Sequence, residues 1–338
     1  GRGTETGTSF EPRPVQLFTT LPLNDAIQIA AHPTASHTCA LRADRTVWCW
    51  GSCAFGECGP NASGARATRA VPVELGDVAQ IAVGGGGQNG TGNPAGHTCA
   101  VLRTGGVRCF GYDGFGQLGD GAVTTTANPT PAPMVDPAGE ITDALEVRGG
   151  AHFTCVRRAA GARVSCAGRQ GSGGGWSGQL GRGSLAAGNY PVADDVTLPV
   201  GTVVTGLSVG NTHSCLTRTG ARPMCWGICT SGQCCTSPLP RSELVPAPVP
   251  LILDDTQQIV AGSDATCARY ENPVMGPRVA CFGTDGTGQL GNGSLGGGAT
   301  PNDVVTAADG SSFLANARDL VVGATNACAV LENGRIAC

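Results

Sequence analysis

The chain has 338 residues, a net charge of −4 and only 14% charged residues. Its 21 basic residues are all arginine, which excludes lysine Schiff-base and P-loop chemistry, and no basic stripe marks a nucleic-acid face. No apolar run reaches the roughly 18 residues of a membrane-spanning helix.

Read in chain order, one succession of segments recurs six times. The first copy opens with an apolar strand, QIAA at Gln28–Ala31, and a turn to a cysteine strand, HTCAL at His37–Leu41. The polar turn RADRT leads to a second cysteine strand, VWCWG. A glycine loop and a Pro/Val segment, Val71–Leu75, close the unit. The second copy has QIAVG at Gln80–Gly84, HTCAV at His97–Val101, VRCFG and the loop GQLG at Gly116–Gly119. The third has LEVRG at Leu145–Gly149, FTCV at Phe153–Val156, VSCAG and GQLG at Gly178–Gly181. The fourth has LSVG at Leu207–Gly210, HSCL at His213–Leu216 and PMCWG. The fifth has QIVAG at Gln258–Gly262, ATCA at Ala265–Ala268, VACFG and GQLG at Gly288–Gly291. The sixth has LVVG at Leu320–Gly323, ACAV at Ala327–Val330 and IAC.

The first cysteines of successive copies stand 52 to 61 residues apart. Self-similarity at this period signals a propeller or a solenoid. Short β-rich runs divided by Gly, Pro, Asn and Asp, with no helical period, read as strands. About four strands per copy match a propeller blade. A lone four-stranded sheet cannot bury both faces, so several copies must stack. The expectation is an all-β propeller occupying residues 1–338, and the 54 glycines suit its tight turns.

Six cysteine pairs straddle the polar turns: Cys39/Cys49, Cys99/Cys109, Cys155/Cys166, Cys215/Cys225, Cys267/Cys281 and Cys328/Cys338. A hairpin folded at the midpoint, Asp44 in the first copy, sets the two cysteines directly opposite. Opposed residues of an antiparallel pair have Cα atoms roughly 4.5–5.5 Å apart, within disulfide range. One intra-blade disulfide per copy is therefore predicted, each adding about 2–3 kcal/mol. The competing reading is buried free cysteine, but chance does not centre six pairs on turns.

These residues resemble the RCC1-type repeat, the regulator-of-chromosome-condensation family. The match is closest over Gly96–Gly119, GHTCAVLRTGGVRCFGYDGFGQLG, and the resemblance extends over nearly the whole chain. It implies a propeller, usually of seven blades. It implies little about function, since such propellers serve as exchange factors, secreted enzyme inhibitors and binding modules. Both ends fall mid-repeat: Gly1-Arg2-Gly3-Thr4 matches Gly181-Arg182-Gly183-Ser184, and Cys338 precedes the place of a W/F-G step. The expectation is a fragment of a longer chain. The alternative is a six-bladed ring closed by Pro12–Leu17 pairing with the last hairpin.

Seventeen cysteines, mostly in opposed pairs, point to an oxidising compartment. The expected location is extracellular or on the cell surface, with the periplasm a third possibility. The lysine-free, Ala/Gly-rich bias suits a GC-rich bacterial genome. That compartment weighs against nuclear or cytosolic exchange activity.

Cys53/Cys58 and Cys229/Cys234 take matching places after Trp50-Gly51 and Trp226-Gly227. An extra loop disulfide in each copy is expected. A zinc site would need four sulfurs together, and these pairs lie three repeats apart. Cys235 is the odd cysteine, a candidate for an intermolecular disulfide, a free thiol or, with Cys234 and leaving Cys229 free, a vicinal bond. His37, His97 and His213 share one position, where a histidine can bond a neighbouring loop carbonyl. Phe153, Ala265 and Asn326 replace them elsewhere, so no ligand ring forms. Asp113, Asp120 and Asp285 lack calcium-loop spacing and read as turn residues. Gly173–Gly175 lacks a strand–helix setting for phosphate. No catalytic set, metal or cofactor is expected.

Two insertions, Gly85–Gly96 and Tyr270–Arg278, break the repeat. Insertions in repeat proteins map to loops on one face, so Gln88, Asn89, Tyr270 and Met275 are candidate contact residues. Asn61, Asn89 and Asn292 lie in N-x-S/T sequons. Thr124–Pro133 reads as an O-glycosylated run or an extended crossing between blades. The expected role is a non-catalytic extracellular scaffold binding a protein or surface glycan through its loops. Alternatives are a structural subunit of an extracellular assembly and a secreted inhibitor of a hydrolase.

Overall fold

The structure is a computed structural model. It describes residues 14–17, 21–88, 94–159, 163–171, 178–184, 186–234, 242–249, 255–306 and 312–338. No described residue is helical. The strands form six successive antiparallel sheets.

The first sheet holds β1 (Ala26–Ala31), β2 (His37–Arg42), β3 (Val47–Ser52) and β4 (Arg66–Pro72). The second holds β5 (Val78–Gln88), β6 (Pro94–Leu102), β7 (Val107–Asp113) and β8 (Thr124–Pro133). A two-stranded hairpin follows, β9 (Val135–Asp136) and β10 (Gly139–Glu140). The third sheet holds β11 (Ala144–Gly149), β12 (Phe153–Arg158), β13 (Val164–Gln170) and β14 (Gly188–Asp195). The fourth holds β15 (Val204–Val209), β16 (His213–Arg218), β17 (Ala221–Ile228) and β18 (Ser242–Pro248). The fifth holds β19 (Thr256–Ala261), β20 (Ala265–Asn272), β21 (Gly276–Gly283) and β22 (Gly298–Asp303). The sixth has three strands, β23 (Ala317–Val322), β24 (Ala327–Leu331) and β25 (Ile336–Ala337). Every sheet is a simple meander in chain order. Repeated four-stranded meanders of this kind are the blades of a β-propeller.

The register repeats as closely as the sequence does. In all six sheets the innermost strand slips by one residue near its start, at Ala26/Gln28, Val78/Gln80, Ala144/Glu146, Val204/Gly206, Thr256/Gln258 and Ala317/Asp319. A bulge there increases local twist. Cys39 lies opposite Cys49, Cys99 opposite Cys109, Cys215 opposite Cys225 and Cys267 opposite Cys281. Those four pairs, with Cys155–Cys166 and Cys328–Cys338, are disulfide-bonded, each with Cα atoms 4.1 Å apart. That spacing is tighter than the expected range and falls at the closer type of antiparallel pair.

Packing divides the chain into two units, 1–159 with 166–168 and 189–194, and 160–165 with 169–188 and 195–338. The division runs through the third sheet. Within each unit the core lies between consecutive sheets. In the first unit, Ile81, Ala100 and Phe110 of the second sheet pack on Leu41, Val47 and Val73 of the first repeat. Leu118 and Met134 pack on Val147, Val156 and Ala167. In the second unit, Ile259, Ala268 and Phe282 pack on Cys215, Cys225 and Val249. Leu320 and Ala329 pack on Cys267, Val279 and Leu290. Each sheet thus gains its apolar burial from its neighbour, the logic of a stacked repeat.

Three expectations change at this level. Thr124–Pro133 is β8, paired to β7 through Asn128 and Ala132, and not a crossing between blades. Gly85–Gly96 is in part a continuation of the β5–β6 hairpin, with Gln88 opposite Pro94. Glycines make this possible, because a Cβ on Gly85 would lie 2.4 Å from the Ala35 nitrogen and one on Gly84 2.7 Å from the Gly150 carbonyl. Gln16 and Leu17 bridge to Pro22 and Ala70, within the first repeat.

Candidate functional site

The polar side chains of the loops that follow the third strands, Glu57, Asp113, Gln117, Gln233 and Asp285 among them, are buried. In the second repeat, the Phe115 amide donates to Gln117 Oε1 at 2.9 Å, and the Leu118 amide donates to Asp113 Oδ1 at 3.0 Å. In the fifth, Thr287 donates to Gln289 and Leu290 to Asp285 in the same way. Asp120 accepts from the Ala122 amide two residues on. Asp113 and Asp285 are therefore buried loop organisers reaching five residues ahead, a longer span than the Asx turn expected of them. Among the described residues no group of three or more His, Cys, Asp or Glu side chains could hold a metal ion.

Two loops carry their own disulfides, Cys53–Cys58 and Cys229–Cys234. These four sulfurs are consumed in bonds, which removes the donors of the zinc alternative. Cys235 and Asn89 lie outside the described residues, as does Gly173–Gly175.

The three histidines bind a hydroxyl on the next sheet, not the loop carbonyl expected. His37 Nε2 meets Thr98 Oγ1 at 2.9 Å, His97 meets Thr154 at 2.9 Å, and His213 meets Thr266 at 2.8 Å. Each threonine then donates to a loop carbonyl, of Glu57, Gln117 and Gln233 respectively. A hydroxyl has one proton, and the carbonyl takes it. The imidazole must therefore donate from Nε2, and Nδ1 is left without a partner in all three. Burial holds all three rings neutral by lowering their pKa to about 3. They are staples between sheets, unsuited to acid–base work near neutral pH.

Glutamine supplies a second staple that the sequence reading passed over. Gln28 donates to the Ile81 carbonyl and accepts from the Ile81 amide, both at 2.9 Å. Gln80 does the same to Val147, at 3.0 and 2.8 Å. The signal was present, since glutamine opens three of the six inner-strand motifs.

Glu57 departs from the pattern. It stands where other loops carry Gln117, Gln179, Gln233 and Gln289, and it is fully buried. Its carboxyl accepts from the Phe55 amide at 2.7 Å and from Gly96 at 3.4 Å. Burial pushes its pKa up to about 7, and does the same for Asp113. Around these loops runs a row of rings: Phe55 edge-on to Tyr112 at 4.9 Å, Tyr112 to Phe115 at 6.0 Å, and Phe115 to His152 at 4.4 Å. Such pairs pack neighbouring loops together.

The candidate contact residues separate. Met275 is 57% exposed at the β20–β21 tip, beside exposed Val274. Tyr270 is a correction: it is 1% exposed, and its hydroxyl donates to Asp303 at 2.7 Å. It sits six residues before Gly276, where the longer hairpin is still paired across Tyr270–Arg278. Gln88 ends β5 at the base of the other insertion.

Residues 26–57 match the family model described as the Regulator of chromosome condensation (RCC1) repeat. Among solved structures, the chain is similar to human WBSCR16, at 17% identity and TM-score 0.71, covering 91% of this chain and 72% of that one. It is similar to the structure of Kap60 bound to yeast RCC1 (Prp20), at 15% identity and TM-score 0.57, covering 84% and 75%. Prp20p from Saccharomyces cerevisiae, described with its binding to Gsp1p and histones, matches at 14% identity and TM-score 0.50, covering 84% and 77%. At these identities the likeness is one of fold. The fold class is that of the RCC1-type repeat propellers. Among the described residues no helix is long and apolar enough to cross a membrane.

Proposed function

We propose that this protein is a non-catalytic scaffold, extracellular or displayed on the cell surface, that binds a protein or surface glycan through its propeller loops. One observation carries the reading: the buried polar groups of the loops are committed to holding loops and sheets in place. Asp113, Asp285, the loop glutamines and the histidine–threonine pairs all serve that end. Binding by a loop held rigid loses less ordering entropy. Propellers of this fold bind proteins, as RCC1 (Prp20) does with Kap60. The disulfides support an oxidising compartment, a condition the periplasm also meets.

The test is to shorten the exposed β20–β21 tip, replacing Asn272–Gly276 by a two-residue Asn-Gly turn, which keeps Glu271 opposite Pro277 and Cys267 opposite Cys281. Both proteins are then offered a surface extract of the source cells. The expected result is a partner retained by the parent protein and lost by the shortened one, with the thermal midpoint unchanged. Equal retention by both would move the binding site off this loop. No retention by either would count against the scaffold reading.

A further inference from the structure

The β20–β21 tip differs from the other described tips of its kind in what it shows to solvent. The turn between second and third strands carries Asp44-Arg45 in the first repeat, Thr104-Gly105 in the second, Thr219-Gly220 in the fourth and Asn333-Gly334 in the sixth. In the fifth it carries Val274 and Met275, 88% and 57% exposed. Their place is fixed from below. Asn272 lies opposite Gly276 at the end of the ladder. Its Oδ1 accepts from the Val274 amide at 3.0 Å and from the Met275 amide at 2.9 Å. Gly276 has a φ of 75°, which lets the turn close. At the base of the extension, the Tyr270 hydroxyl donates to Asp303. The two apolar side chains therefore stand out from a tied turn.

Sulfur sets Met275 apart from Val274. The chain has three methionines. Met134 is buried in the core between the second and third sheets, and Met224 is buried opposite Leu216 in the fourth. Met275 is the exposed one. A thioether is apolar and adapts to irregular contact surfaces, whereas its sulfoxide is polar. On this tip a single added oxygen turns one of two aliphatic contacts into a polar one.

We propose that Met275 is an oxidation site, converted to the sulfoxide by peroxide-class oxidants, and that this modification switches the tip from apolar to polar. The sulfur lone pair attacks one peroxide oxygen as the O–O bond breaks. An S–O bond forms, sulfur gives up two electrons, and the second oxygen takes the proton and leaves as water. A thiol-dependent sulfoxide reductase reverses the step. Burial spares Met134 and Met224, so the core is untouched. The chemistry is independent of the loop-binding reading. Its consequence for a partner rests on that reading, in which this tip is the contact.

The test is to treat the native protein with dilute hydrogen peroxide, after N-ethylmaleimide has blocked any free thiol, and to follow each methionine peptide by mass spectrometry. Met275 should gain one oxygen roughly tenfold faster, or more, than Met134 and Met224. In guanidinium chloride the three should react alike. The oxidised protein should then elute earlier from a butyl matrix than the untreated one. Met275→Leu should elute at one position before and after peroxide, because leucine keeps the tip aliphatic without the sulfur. Equal rates at the three methionines of the native protein overturn the proposal. So does an unchanged elution once Met275 is fully oxidised, or a shift that persists in M275L. The rate comparison uses the parent protein alone, so it decides the matter even if M275L does not fold. Failure of the partner reading leaves selective oxidation and earlier elution in place, while a Met275 that resists peroxide removes this inference and leaves the partner reading.

Discussion

Glu57 carries a pH dependence that the glutamine at its place in the sister loops lacks. Its pKa is raised to about 7 by burial, against about 4.3 for an exposed glutamate. Below the lower value the carboxyl is protonated in both folded and unfolded chains, and it has no effect. As pH rises between the two values, the unfolded chain ionises first and the native state loses stability. Above pH 7 the whole cost of burying the charge is present. Glu57→Gln should therefore raise stability by about 1–3 kcal/mol at pH 8 and leave it unchanged at pH 4. Glutamine already occupies the place in Gln117 and Gln233, each with an unpartnered buried Nε2, which sets the gain below the full ionic figure. Urea unfolding at the two pH values measures it, and an equal effect at both would show that charge is not the cause. Asp113, also raised to about 7, leaves part of the slope in the variant. The histidines act in the other direction. Their lowered pKa values mean that stability falls as pH drops below about 6.5, where the unfolded chain takes up protons first.

At the scale of the strand, one glycine recurs with a fixed conformation. Gly51, Gly111, Gly168, Gly227 and Gly283 each stand two residues after the second cysteine of their repeat and have φ of 110–118°. This is backbone that L residues rarely adopt. It lets the third strand curl against the second: a Cβ on Gly111 would lie 2.8 Å from the Gly96 carbonyl and 2.9 Å from the His97 Cα. Gly111→Ala is expected to cost about 2–3 kcal/mol, strain and clash together. Gly64→Ala should cost less: it also has positive φ, but a Cβ there meets nothing within 4 Å. Thermal unfolding of both separates conformation from contact, and equal losses would leave φ as the sole cause. The sequence shows this glycine plainly, as the G of WCWG and RCFG, and the strand pairing follows from it. Other features were not legible. Tyr270 reads as a loop residue because the insertion looks like a tip, yet the added residues extend the ladder and move the tip to Val274 and Met275. The Gln80–Val147 clamp joins residues 67 apart, a distance over which local pattern carries no information. The histidine partner was missed for the same reason, since Thr98 lies on the following sheet.

For the whole molecule, sulfur chemistry links the fold to its compartment. Sixteen cysteines form eight disulfides, all within the repeats that supply them. Each closes a loop of only 5–14 residues, so each constrains the unfolded chain locally, by about 2–3 kcal/mol. The bonds within sheets tie second strand to third, while burial between sheets ties repeat to repeat. The two kinds of constraint are complementary, and loss of the first should loosen every sheet at once. Cytosolic thiol pools keep such pairs reduced, so the eight bonds are compatible with the oxidising compartment of the proposed function. The check is alkylation of the native protein, followed by intact mass before and after reduction. At most one alkyl group, on Cys235, is expected without reduction, and sixteen more cysteines should react after it. A monomer mass that appears only on reduction would place Cys235 in a bond to a partner. Uptake at most cysteines before reduction would remove the extracellular reading and leave the fold to be held by packing between sheets alone.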